Sequence, residues 1–400
     1  MERLECVLCT KTVALDVFFP FCPACGAPLV VHGAKKGRKF HPDKFLAVEV
    51  FQDFLPLRKV DLGMSLGEGQ TPLVELGNLR ARFGLPLVLA KNEMMNPTAS
   101  FKDRGSVVAV QKAVSLGIKA VGTISTGNMA GSTAAYAAKA GLKCVVFVKE
   151  DTTKEKIAAA GIYGPLLLKV RGDYGRLFRR SFEIGRSRGI YFMNSVDPFR
   201  IEGYKATGFE IFIQLGMQRP DYVFVPVSAG GHLIGLMRAF EDLKTEGLID
   251  EMPVFVGVQA RGCSPIARAF ALGKSSVARF PRPRTVAHAI SNPEPPGGNI
   301  VLKLMREHKG AMLAVSEAEI LKSQRLLAEL EGLFCDPASA TVLAALLQTA
   351  KAGAFRSKDR IVLVLTGSGL KTVEDIDLTR IHYREADVDD LEKTVDSVLR

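Results

Sequence analysis

The run Asn96-Pro97-Thr98-Ala99-Ser100-Phe101-Lys102-Asp103-Arg104-Gly105 sets one amine at the start of a helix. Asn96-Pro97 disfavours helix before it, and Ser100 with Asp103 three residues later forms a capping pattern, so a helix is expected to open at Phe101 and run through Val110. Lys102 then lies in the first turn, where the positive end of the helix dipole disfavours an ammonium. Attachment to a carbonyl as an imine, or pairing with a bound anion, relieves that penalty. The plainer alternative is a solvated lysine on an amphipathic helix.

Three further loops offer groups that suit anions. The strand Tyr222 to Val227 runs into Ser228-Ala229-Gly230-Gly231-His232 and then an apolar helix, Leu233 to Phe240. A strand, a small-residue turn and a helix start present backbone N–H groups to a phosphate, although an ordinary tight turn reads the same way. Ser125-Thr126-Gly127-Asn128 follows a strand ending near Ile124 and opens an alanine-rich helix after Met129. Its hydroxyls and amide suit a carboxylate or a phenolic oxygen, and Ser125 or Thr126 equally suits a plain N-cap. Thr366-Gly367-Ser368-Gly369-Leu370-Lys371 follows the strand Ile361 to Leu365. In open α/β sheets ligands sit beyond the carboxyl ends of the strands, so the three loops are expected to converge on one pocket.

Four of the seven cysteines are patterned, as Cys6-x2-Cys9 and Cys22-x2-Cys25. Two such hooks suit a tetrahedral zinc ribbon; a pair of redox-active C-x-x-C units is the rival, without a βαβ context to support it. Cys144, Cys263 and Cys335 read as small buried hydrophobes.

The elements that must position these groups alternate between strand-like runs and helical patterns, which argues for α/β layering on mainly parallel sheets. With 400 residues, 47% hydrophobic and 24% charged, the chain has apolar material for two or more cores. Runs such as Cys144 to Val148 and Ile361 to Leu365 fall far below the ~20 residues of a membrane helix and read as buried strands. The opening Met1-Glu2-Arg3-Leu4-Glu5 has no secretory pattern, so a cytoplasmic protein with no membrane partner is expected. The net charge of +11 includes a run at Lys35-Lys36-Gly37-Arg38-Lys39 in a stretch that reads as a linker. Elsewhere basic charge is dispersed and not interleaved with aromatics, which favours small anions over nucleic acid. A nucleic-acid or protein adaptor built on the ribbon and this run is the competing class, and it leaves Lys102, Asn128 and Thr366 without a task.

Together, the lysine, the phosphate cradle, the asparagine and the threonine resemble the fold-type II pyridoxal phosphate enzymes, and within them the threonine synthases. The Lys102 run is similar to that family's cofactor-lysine segment. Leu66-Gly67-Glu68-Gly69-Gln70-Thr71-Pro72-Leu73 is similar to an early family motif, Asn194 to Gly203 to its substrate-phosphate segment, and Glu331 to Ala340 to a late helix start. The resemblance implies an α/β fold of the tryptophan synthase β kind, with two open, mainly parallel sheets flanked by helices and a small amino-terminal zinc ribbon. It implies a ribbon and linker over 1–45, a large domain over 46–105 and 200–380, an inserted small domain over 106–199, and a helical tail over 381–400.

The same resemblance implies that Lys102 holds pyridoxal 5'-phosphate covalently and shuttles protons. Asn128 would meet the ring oxygen, Ser228, Ala229, Gly230, Gly231 and His232 the cofactor phosphate, and Thr366 the pyridine nitrogen. Ser125 and Thr126 would take the substrate carboxylate, and Asn194, Ser195 and Arg200 its phosphate, with Zn2+ on Cys6, Cys9, Cys22 and Cys25. The alternatives are local: Arg200 with Glu202 as a surface ion pair, Asn194 as a turn residue, Ser195 as an N-cap, and Thr366 bonded to its own backbone. The implied reaction turns a phosphorylated amino acid, O-phospho-L-homoserine, and water into L-threonine and phosphate, in a homodimer. Three departures from the family pattern, His232 in the glycine loop, Met129 after Asn128 and Ser368 in the third loop, keep a β-replacement or serine/threonine dehydratase as the alternative.

Overall fold

Apolar runs that read as buried strands lie at the centres of two sheets. The computed structural model describes residues 3–32, 37–125, 127–150, 152–373 and 385–399. Part of the Lys35–Lys39 run and the expected boundary at 380 lie outside the described residues. Three short strands, β1 (Arg3–Cys6), β2 (Thr12–Ala14) and β3 (Leu29–Val31), form an antiparallel sheet in the order β2-β1-β3.

The larger sheet uses β4 (Leu73–Glu75) and β5 (Leu87–Asn92) before a second sheet intervenes in sequence. That second sheet consists of β6 (Ala120–Ile124), β7 (Lys143–Lys149), β8 (Leu166–Val170) and β9 (Ile190–Phe192), in the order β8-β7-β6-β9, all parallel. The chain then returns through β10 (Tyr222–Pro226), β11 (Val254–Ala260), β12 (Ala311–Val315) and β13 (Arg360–Leu365). The six-stranded order is β12-β11-β10-β13-β5-β4, with only β4 antiparallel. Val223, Phe224 and Val225 of β10 and Ile361 to Leu365 of β13 are almost fully buried, as strands covered by helices on both faces must be. Among the described residues no helix is long and apolar enough to cross a membrane.

Helix packing brings the two sheets' loops together. The helices Lys102–Ser115 and Pro198–Gln214 touch backbone to backbone: a Cβ on Gly203 would lie 2.2 Å from the Arg104 carbonyl oxygen. Only glycine permits that approach, and it draws Arg200 toward Lys102. A buried charge cluster clamps the same crossing. Arg104 donates to both Glu93 oxygens (2.6 and 2.7 Å) and both Glu210 oxygens (2.7 Å each), and Lys91 also donates to Glu210 at 2.7 Å.

Several boundaries differ from the sequence reading. The lysine helix begins at Lys102 rather than Phe101, and Ser100 does not cap it. Ala99 adopts a left-handed backbone (φ 56°), which turns Ser100 into a bridge with Gly367 and lets the Phe101 N–H reach the Thr366 carbonyl at 3.1 Å. Asp103 accepts instead from the Thr98 N–H at 2.6 Å and the Thr98 hydroxyl at 2.5 Å. The helix after the second loop already starts at Asn128, and that after the glycine turn spans Gly231–Thr245, so His232 is helical. Among the described residues of the tail, α-helix spans Leu391–Leu399 after a 3-10 turn at Val388–Asp390. Cys263 and Cys335 are buried, whereas Cys144 is only half-buried.

Candidate active site

Lys102 is the first residue of its helix, with its ammonium 4.1 Å from the Phe101 ring centre and 5.9 Å from that of Tyr204. Burial, and then the positive charge of Arg200, bring its pKa down to about 7. An amine half-neutral near pH 7 is a nucleophile and a base without further activation.

Arg200 sits in the first turn of its helix and is fully buried, so it is no surface ion pair with Glu202. Glu202 pairs with Lys205 at 2.6 Å and Arg238 at 3.0 Å. The Arg200 Nε donates to the Met193 carbonyl at 2.8 Å and Nη2 to the Thr133 hydroxyl, while Nη1 has no partner among the described residues. A buried guanidinium with a free N–H is suited to an anion. Asp197, not Ser195, caps this helix, accepting from the N–H groups of Phe199 and Arg200. Asn194 commits its amide to structure: Oδ1 accepts from the Ile124 N–H at 3.0 Å and Nδ2 donates to Ser181 at 3.2 Å, which ties the end of β6 to the Tyr174–Arg188 helix. The half-buried Ser195 offers its carbonyl to the glycine turn, where a Cβ on Gly231 would lie 2.4 Å from it.

Gly230 has φ 101° and stands before the Gly231–Thr245 helix; a Cβ there would meet Val301 at 2.8 Å. Ser228 is half-buried and Ala229 buried, and the Ala229 carbonyl accepts from Gly297 at 2.9 Å. His232 stacks on Phe101 with ring centres 3.8 Å apart, and neither imidazole nitrogen has a partner among the described residues. Burial and the nearby Lys102 and Arg104 charges hold its pKa well below the usual imidazole range, so it is neutral and has one N–H to give.

On the other side, Ser125 accepts from the Gly127 N–H at 3.2 Å, Asn128 opens its helix, and Thr126 lies outside the described residues. The Asn128 amide nitrogen and the Asp336 Oδ2 both face the Cα of Gly367, lying 3.0 and 2.7 Å from the position of a Cβ there. Thr366 does not bond its own backbone; its hydroxyl lies 3.0 Å from that of Ser339. Asp336, Ser339, Phe101 and Tyr204 received no role from sequence reasoning. The Asp336-Pro337-Ala338-Ser339 capping pattern was the available signal for two of them. Apart from this pocket, the sulfurs of Cys6, Cys9, Cys22 and Cys25 lie within 4.8 Å of one another, with contacts of 3.4, 3.6 and 3.8 Å. Edges of about 3.8 Å are those of a tetrahedron with 2.3 Å metal–sulfur bonds.

Fold and pocket together define a class, the α/β enzymes that hold pyridoxal phosphate through a lysine. A family model described as pyridoxal-phosphate dependent enzyme matches residues 64–367. The chain is 36% identical over 373 residues to a threonine synthase of Methanocaldococcus jannaschii, covering 92% of each chain, and 33% identical to one of Methanosarcina acetivorans, covering 94% of each. Among solved structures it is similar to a T.th. threonine deaminase, with a TM-score of 0.63 and 25% identity over 79% of this chain and 94% of that one. Maize serine racemase shares the fold, with a TM-score of 0.65 and 19% identity over 83% of this chain and 93% of that one. The chain belongs to the pyridoxal-phosphate dependent enzyme family, and within it to the threonine synthases. These residues fit that cofactor: Lys102 has a lowered pKa and feels the Arg200 charge, His232 feels that of Lys102, Gly230 and Gly231 leave no room for a Cβ, and His232 and Arg200 carry orphaned nitrogens.

Proposed function

We propose that this lyase converts O-phospho-L-homoserine and water into L-threonine and phosphate. The observation that carries the reading is the buried Arg200 guanidinium, with Nη1 unpartnered, near enough to Lys102 to depress its pKa. A cation fixed there suits a substrate with a second anionic group beyond its carboxylate. The relation to threonine synthases supports the same substrate.

When bound, pyridoxal phosphate draws electrons from the substrate and makes its Cα and Cβ hydrogens removable as protons. Lys102 would hold the cofactor between turnovers, then take the Cα proton and a Cβ proton in turn, with protons returned at Cγ, which becomes the methyl group, and at Cα. Arg200 would steady the phosphate that leaves from Cγ, before water adds at Cβ, while Asn194, whose amide is taken up by Ile124 and Ser181, would act by holding that segment in place. Ser125 and Thr126 would hold the substrate carboxylate, Asn128 the ring oxygen, and Thr366 the ring nitrogen. Ser228 to His232 would hold the cofactor phosphate through backbone N–H groups, with the His232 imidazole as a further neutral donor. Incubating the purified protein with O-phospho-L-homoserine is expected to release threonine and phosphate in equal amounts, and Lys102→Ala to release neither. A wild-type protein that yields neither product refutes the assignment.

Met129 and Ser368, each 7% exposed, favour a second reading, β-replacement or dehydration of phosphoserine, serine or threonine. Which amino acid shifts the bound cofactor's visible absorption separates the two. Zinc on the four clustered thiolates would brace the amino-terminal sheet, which meets the body where Arg238 donates to Val31 and Lys303 to Val7.

A further inference from the structure

We propose that Tyr204 is a substrate-binding residue: its hydroxyl donates to the same anion as Arg200 Nη1, and the pair selects a phosphorylated amino acid over an unphosphorylated one. This rests on the reading of Arg200 given above. Tyr204 is 1% exposed, and its oxygen, like Arg200 Nη1, has no hydrogen-bond partner among the described residues. A buried donor left unpaired is costly, and such atoms are scarce in folded proteins. Two of them, one helical turn apart on one face, point to a shared ligand.

Packing fixes where that hydroxyl sits. Arg200 and Tyr204 are four residues apart in the Pro198–Gln214 helix, and helical side chains lean toward the amino-terminal end, which carries the Tyr204 ring toward the Arg200 turn. The ring is wedged between two glycines: a Cβ on Gly105 would lie 2.6 and 2.8 Å from its Cε1 and Cζ, and one on Gly235 would lie 2.7 Å from the Tyr204 Cβ. Its centre stands 5.0 Å from that of Phe101, 5.5 Å from that of His232 and 5.9 Å from the Lys102 ammonium, which places it beside the reacting amine. Other donors of this turn are already committed. Arg200 Nε and Nη2 serve Met193 and Thr133, and the N–H groups of Phe199 and Arg200 serve Asp197. Nη1 and the phenol O–H are left over.

The charges suit a phosphate. Burial raises Tyr204 above the usual phenol range, against the pull of the Arg200 charge, so the hydroxyl stays neutral and keeps its hydrogen to give. A cationic N–H and a neutral O–H can each take a different oxygen of one phosphate dianion. The free hydroxyl of homoserine or serine brings no charge to balance the buried guanidinium, so this pair discriminates against it.

The test is Tyr204→Phe, which keeps the ring between Gly105 and Gly235 and deletes only the O–H. Inorganic phosphate is titrated into the holoenzyme by calorimetry without substrate, and KM and kcat are measured with O-phospho-L-homoserine. The phosphate dissociation constant is expected to rise roughly 10- to 100-fold in Tyr204→Phe, as for a lost hydrogen bond to a charged group. KM should rise with it, and the loss should fall in KM rather than kcat, because the phosphate is held alike before and during its departure. Unphosphorylated homoserine, followed through the cofactor's visible band, should bind both proteins equally; an equal loss for it reports general damage to the pocket and overturns the selectivity. Phosphate affinity and KM both unchanged in Tyr204→Phe overturn the proposal, as does weaker cofactor retention with phosphate affinity intact, which puts the hydroxyl on the cofactor. If inorganic phosphate alone does not bind wild type, the KM comparison decides. A wild type that binds phosphate more tightly than Tyr204→Phe yet makes no threonine removes the functional reading and leaves the phosphate site, whereas threonine made with equal KM by both proteins removes this proposal only.

Discussion

Burial and the Arg200 charge lower Lys102 from 10.5 to about 7, so at neutral pH roughly half of this amine is unprotonated. An ordinary lysine is neutral about once in 3,000 molecules at the same pH, so the site holds its nucleophile ready by a factor of about 10³. Apoprotein stripped of cofactor and mixed with pyridoxal phosphate should therefore gain its visible band at a rate that rises to about pH 7 and then levels. Borohydride trapping followed by peptide mapping assigns the band to Lys102. Arg200→Met removes one of the two depressing causes, so the midpoint should move upward while burial keeps it below the usual lysine range. A rate that still climbs tenfold per pH unit between about pH 8 and 9.5 would refute the argument, because the amine would then have an ordinary pKa. An unchanged midpoint in Arg200→Met would leave burial as the only cause.

The Arg104–Glu210 cluster is expected to be intolerant of single changes. Glu210→Gln leaves buried Lys91 and Arg104 short of a countercharge and should cost ~3–5 kcal/mol in denaturant unfolding of the apoprotein. Although burial alone would raise Glu210, Arg104 and Lys91 hold it at about 2, below its ordinary 4.5. Its contribution is thus complete above about pH 4.5 and lost as pH falls through about 2, a loss of ~3 kcal/mol absent from Glu210→Gln. Gly203→Ala places a Cβ 2.2 Å from the Arg104 carbonyl oxygen and should destabilise by more than ~2 kcal/mol, with weaker cofactor retention because the Lys102 and Arg200 helices are forced apart. Cys9→Ser should abolish zinc uptake measured by atomic absorption; full zinc content in that variant would end the four-thiolate reading.

Some of this protein was legible in residue order because the features are local. A glycine turn after an apolar strand, a proline before a helix and paired C-x-x-C hooks each act within a few residues, so the layered fold and the four thiolates could be read from spacing, and the cofactor class from the family resemblance that such local motifs carry. The start of the lysine helix could not, because a contact with Gly367 fixes Ser100 against the expected cap. Tertiary structure also decided which polar groups remain free. Arg200 is buried against Met193 and Thr133, the Asn194 amide is taken up by Ile124, and Asp336 reaches Thr366 only through Ser339. Lys91, Arg104 and Glu210 meet although more than a hundred residues separate Glu210 from either cation. The physical reason is that burial and neighbouring charge, which set each group's proton and hydrogen-bond partners, belong to the packed chain and leave no mark on sequence spacing.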